Sequence, residues 1–135
     1  MSETKDELTI SWLIKSKRDL QSAIELAESE SHLLDTASYH CQQAAEKAVK
    51  AFLLYHDVRF DKTHDIEVLV FQAQEIDPEF SSCVNAARIL TPLAIEYRYP
   101  GIYVEPEEDE YRAAFDAAVF AYNFVVNKLP VKPLL

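Results

Sequence analysis

The chain has 135 residues, enough for one domain that buries roughly two thirds of its unfolded surface, so no cofactor is needed for folding. Its 23 acidic residues against 13 basic ones give a formal charge of -10, which on average repels polyanions and excludes a general nucleic-acid face; any anion must bind at a local site. The single glycine, Gly101, excludes phosphate-cradling loops of the Walker and Rossmann kinds, which need several.

Helical spacing of Leu8, Trp12, Leu13, Leu20, Ala23, Ile24 and Ala27 predicts a first helix over about 5–30, with Lys15, Arg18, Ser22 and Glu25 opposite. Its start is charged and lacks a signal-type apolar run, and no segment approaches about 18 uninterrupted apolar residues, so a cytoplasmic chain with no membrane contact is expected. A second helix is predicted over about 36–56, capped by Asp35 or Thr36. It separates into two faces: Cys41, Ala44, Ala45, Ala48, Val49 and Phe52 on one, and Tyr39, His40, Gln42, Gln43, Glu46, Lys47 and Lys50 on the other. The first is small enough for close helix approach; the second carries more hydrogen-bonding chemistry than a solvated face needs.

The pattern breaks over 57–62, and Thr63 is expected to cap a third helix through about Glu75, with Ile66, Leu69, Val70, Ala73 and Ile76 inward. Asp77-Pro78 predicts an immediate restart, because aspartate caps well and proline suits a first helical position. Pro92 should kink or split that fourth helix, with Thr91 capping the second piece and Arg98-Tyr99-Pro100-Gly101 ending it. The last helix, about 106–128, opens on Glu107, Glu108, Asp109 and Glu110, which favour the positive end of its dipole. It shows two apolar stripes, Phe115, Ala118, Tyr122 and Val125, then Ala113, Ala117, Phe120 and Phe124, so a homodimer is expected to cover one of them. Cys41 and Cys83 read as two buried free thiols. The expected architecture is all-α, an antiparallel up-and-down bundle of four to five helices over 1–129 with a short tail at 130–135.

Three segments, Tyr39-His40-Cys41-Gln42-Gln43-Ala44-Ala45-Glu46-Lys47-Ala48, Lys62-Thr63-His64-Asp65 and Arg98-Tyr99-Pro100-Gly101, together resemble the HEPN domain family in order and spacing. The similarity extends from about Trp12 to Leu129. The resemblance implies a helical bundle that commonly dimerises and often accompanies a minimal nucleotidyltransferase, sometimes as a toxin and antitoxin pair. Members that are ribonucleases carry an arginine followed, after four to six intervening residues, by histidine. Here the corresponding positions after Arg98 are Tyr103, Val104 and Glu105, so the resemblance implies no catalytic residue of that kind.

For a nucleotide or phosphate, Lys47, Lys50, Lys62 and Arg98 can supply positive charge, Tyr39 or Tyr99 a stacking ring, and the helix start at Thr63-His64-Asp65 free backbone donors. His40, Gln43 and Glu46 complete the candidate ligand-binding set. Each has a plainer alternative: Glu46 and Lys50 form a favourable i, i+4 pair, His64 can anchor its loop, and Arg98 can pair with Glu46 or Glu96. There is no Cys-x-x-Cys or His-Glu-x-x-His, so no metal site is expected. Three functions stay open: a non-catalytic nucleotide- or partner-binding module acting with a minimal nucleotidyltransferase, a metal-independent ribonuclease with a degenerate motif in which His40 or His64 substitutes for the missing histidine, and a purely structural interaction module.

Overall fold

The computed structural model describes residues 4–60, 62–96 and 105–133, and among them every regular element is helical. In chain order these are α1 (Lys5–Glu28), α2 (Leu34–Tyr55), α3 (Ile66–Ile76), a 3-10 helix (Pro78–Cys83), α4 (Val84–Leu90), α5 (Leu93–Glu96) and α6 (Glu108–Lys128). The all-α bundle read from the sequence is the architecture found.

Thr4 caps α1 by accepting from the Glu7 N–H, and the inward side of the helix runs through Leu13, Ser16, Asp19, Leu20, Ala23 and Ala27. A short connection through His32, which adopts φ 50°, returns the chain as α2. The two helices are antiparallel: Lys5 at the start of α1 reaches Asp57 just past the end of α2, while Asp19 lies against His40. Ala44, Ala45 and Ala48 have no solvent exposure, and the Ser16 hydroxyl donates to the Ala44 carbonyl at 2.5 Å, a contact that small side chains alone permit.

On its other side α2 packs against α6. Phe52 of α2, Phe80 of the 3-10 helix and Phe124 of α6 form a ring cluster with centroid separations of 4.4 and 4.8 Å. Lys128 holds the end of α6 to the start of the 3-10 helix through Asp77, at 3.0 Å, and Glu79.

Several boundaries differ from the sequence expectation for identifiable reasons. Helix α2 begins at Leu34 without a side-chain cap; Asp35 accepts from the adjacent Thr36 N–H, and Leu34, 3% exposed, anchors the start by burial. Asp65 rather than Thr63 caps α3, accepting from the Val68 N–H, while the Thr63 hydroxyl accepts from Asp65 N–H one step earlier. The restart at Pro78 is 3-10 rather than α, which aligns Phe80 and Cys83 three apart so that both point inward. Pro92 ends α4 as expected, but Thr91 donates its hydroxyl back to the Ala87 carbonyl instead of capping α5. The acidic opening of α6 has a local use, since the Glu110 carboxylate accepts from the Glu107 N–H at 3.0 Å.

The first α6 stripe faces the core, with Ala118 and Val125 fully buried, Tyr122 nearly so and Phe115 half-buried. The second is covered in part: Ala117 is buried and Phe124 packs on Phe80, whereas Ala113 is exposed and Phe120 is 47% exposed beside a groove it shares with Ile89 of α4. Both cysteines are free and buried.

Candidate functional site

Helix α2 places the predicted polar residues, and its alanine side is buried as its spacing requires. The opposite side is not a solvated face. Gln42, Glu46 and Lys50 are all buried, because the loop before α3 closes over them. The i, i+4 pair of Glu46 and Lys50 is formed, but inside the bundle rather than on an exposed helix.

Glu46 is the hub of that closure. Its Oε2 accepts from Lys50 Nζ at 2.9 Å, and its Oε1 accepts from Gln42 Nε2 at 3.0 Å and bonds His64 Nδ1 at 2.9 Å. Gln42 Nε2 also reaches the His64 carbonyl at 3.1 Å, and Gln43 donates to Gln42 Oε1 at 2.7 Å. The side chains of Glu46 and Lys50 are 5% and 9% exposed, while His64 is 56% exposed, a solvated lid on a buried ion pair. The Lys50 ammonium lies 5.4 Å from the Phe60 ring centre and 6.0 Å from that of Trp12, so aromatic faces offset part of its lost hydration.

A second cluster lies one turn away, against α1. Asp19 Oδ1 bonds His40 Nδ1 at 2.8 Å and its Oδ2 accepts from Lys47 Nζ at 2.6 Å. Burial pushes the Asp19 carboxyl up, but the hydrogen bonds and charges of His40 and Lys47 outweigh it and hold it below its ordinary value. Asp19 is therefore a carboxylate, His40 Nδ1 is the donor, and Nε2 is left as the ring nitrogen that can serve a ligand.

The predicted set thus separates. Gln43, Glu46, Lys50 and His64 join one network through Gln42, whereas His40 and Lys47 join another through Asp19. Asp65 is spent as the α3 cap, and Lys62 is exposed with no ion pair among the described residues. Arg98 and Tyr99, with the turn they begin and Tyr103, lie outside the described residues. Sequence reasoning missed Asp19, although its signal was present: it falls between Ser16, Leu20 and Ala23 on the inward side of α1, where an unpaired acid would not be tolerated.

Two grooves of about 450 and 460 Å³ flank the Asp19 cluster along the α1–α2 seam. Leu8, Ser11, Trp12, Lys15 and Lys47 line the first, and Arg18, Gln21, Ser22, Glu25, Leu26 and His40 the second. Nucleophilic chemistry has no support from the thiols: burial and then the Asp19 charge push Cys41 up to about 12, and burial pushes Cys83 up to about 11. Among the described residues no three His, Cys, Asp or Glu side chains could hold a metal ion, and no helix is long and apolar enough to cross a membrane.

The sequence model of the HEPN domain matches residues 10–129. No match is found among the curated proteins. Two solved structures share the fold: an archaeal HEPN homologue, at TM-score 0.70 and 24% identity over 89% of this chain and 96% of that one, and a protein of Thermus thermophilus, at TM-score 0.76 and 27% identity over 90% and 98%. With the family model spanning nearly all of a helical bundle built as described, the chain belongs to the HEPN domain family.

Proposed function

We propose that this chain is a non-catalytic HEPN module, residues 1–129, that works as a homodimer and binds a minimal nucleotidyltransferase in a toxin–antitoxin-like pair. The observation that carries this reading is the full engagement of Glu46. Its carboxylate, 5% exposed and bonded to Lys50, His64 and Gln42, is held inside the bundle as a tie for the loop before α3 and is not presented to a substrate. The positions after Arg98 that hold histidine in the nuclease pattern are Tyr103, Val104 and Glu105, which supports the same conclusion. On this reading His64, Glu46 and Lys50 fix the loop before α3. Any nucleotide phosphate is contacted by Lys47 and His40, whose cationic and donor groups Asp19 holds at the seam. The half-open α6 stripe at Phe120, with Ile89 beside it, is the face given to the second copy.

Co-expression with a nucleotidyltransferase encoded beside it, followed by size-exclusion chromatography and sedimentation, is the test. Co-elution in a complex that contains two copies of this chain, and short RNA left intact over long incubation, are expected. RNA cleavage that disappears in Arg98→Ala would replace the reading with a nuclease, and a monomer that ignores the enzyme would leave only a structural module.

A further inference from the structure

We propose that the groove lined by Leu8, Ser11, Trp12, Lys15 and Lys47 binds a small planar aromatic anion. Its volume of about 450 Å³ falls within the ordinary range for small-ligand sites, which are mostly apolar with a few fixed polar groups. Leu8 and Trp12 supply the apolar wall. The Trp12 ring is braced edge-on by Phe60, with centroids 6.4 Å apart and planes at 85°, so a stacking platform exists before any ligand arrives.

The charge of the groove decides the class of ligand. Lys47 is held by Asp19 at 2.6 Å, which fixes its ammonium and still leaves N–H donors for a ligand. Asp19 balances the charge of Lys47, whereas Lys15 is exposed and makes no ion pair among the described residues, so its ammonium is the uncompensated charge among the residues that line the groove. Lys50, whose ammonium lies 6.0 Å from the Trp12 ring centre, is paired with Glu46 and adds no net charge. A surplus positive charge beside a flat apolar wall, on a chain whose net charge is -10, is a local exception that an anionic group would complete. The apolar groove between α4 and α6, lined by Ala86, Ile89, Ala117 and Phe120 with Asp116, has no such cation and is not assigned this role.

Trp12 is the only tryptophan, so its fluorescence and its indole N–H resonance report on this groove alone. Naphthalene-2-sulfonate titrated into the intact chain is expected to quench Trp12 saturably and shift that resonance. The uncharged naphthalene-2-sulfonamide should bind roughly tenfold more weakly, and Lys15→Glu should weaken the sulfonate by a similar factor, with Lys15→Gln intermediate. Both substitutions are at an exposed position, and Glu75→Gln, a charge change at an exposed position on α3, should leave the titration unchanged. Equal binding of sulfonate and sulfonamide, insensitivity to Lys15→Glu, or an unmoved indole resonance would each overturn the proposal. The groove shares Lys47 with the phosphate contact proposed above, but its test is separate from that of the partner reading, which stands or falls on co-elution with the nucleotidyltransferase.

Discussion

Glu46→Ala separates a buried structural tie from an ordinary surface pair. In the folded chain the Glu46 carboxylate accounts for bonds of 2.9 Å to Lys50 and to His64 and 3.0 Å to Gln42. Removing it strands the Lys50 ammonium, 9% exposed, between Trp12 and Phe60. An uncompensated buried charge costs about 3–5 kcal/mol, whereas a solvated i, i+4 pair contributes only about 0.3–0.5 kcal/mol. At roughly 3–4 °C per kcal/mol for a chain of this size, the buried reading lowers Tm by about 10 °C or more and the solvated one by about 1–2 °C. Urea unfolding and thermal melts followed by circular dichroism measure both quantities. Replacing both partners, Glu46→Leu with Lys50→Met, should recover most of the loss, because no charge is then left unpaired. A loss below about 1 kcal/mol in Glu46→Ala, or a double variant less stable than each single one, refutes the reasoning.

Three further outcomes are expected. The folded-state pKa of Asp19 lies below its ordinary 3.8, so its stabilisation is present above that value and is lost as pH falls through the folded pKa; Tm of the wild type should drop more steeply in acid than that of Asp19→Asn, and parallel curves would count against the pairing. With Cys41 and Cys83 held up to about 12 and 11, Ellman's reagent at pH 8 should label the native chain at the rate of its unfolding, whereas labelling of both thiols within the mixing time would show them accessible. Glu110→Ala removes the acceptor for Glu107 N–H and should cost about 1 kcal/mol in denaturant unfolding, with no change expected in partner binding.

The fold was legible because its signal is periodic. The alanine side of α2, the inward residues of α3 from Ile66 to Ala73 and the break at Pro92 all follow from spacing and from the missing N–H of proline, which operate locally. The caps were less legible: Asp35, Thr63 and Thr91 each had a competing local hydrogen bond, to Thr36 N–H, Asp65 N–H and Ala87 carbonyl, and that competition depends on backbone geometry a sequence does not display. The site was legible in its membership on α2 but not in its connections. A charged side chain four residues from its opposite looks the same on a wet face as under a loop, and only tertiary placement of His64 and Phe60 distinguishes them.

Burial of Glu46 and Lys50 adds little net stability, because desolvating two charges cancels much of their attraction. The gain lies in placement: Glu46 bonds the His64 ring, and Gln42 bonds both the carboxylate and the His64 carbonyl, so the network sets where the chain enters α3. As a hypothesis, the network specifies the loop at 62–65 more than it stabilises the bundle. The paired replacement Glu46→Leu with Lys50→Met makes that distinction measurable, since it should keep nearly the wild-type Tm while amide exchange at Thr63, His64 and Asp65 accelerates. If those amides stay as protected as before, the cap that Asp65 gives to Val68 N–H is sufficient by itself to position the loop, and the buried pair has no positioning role.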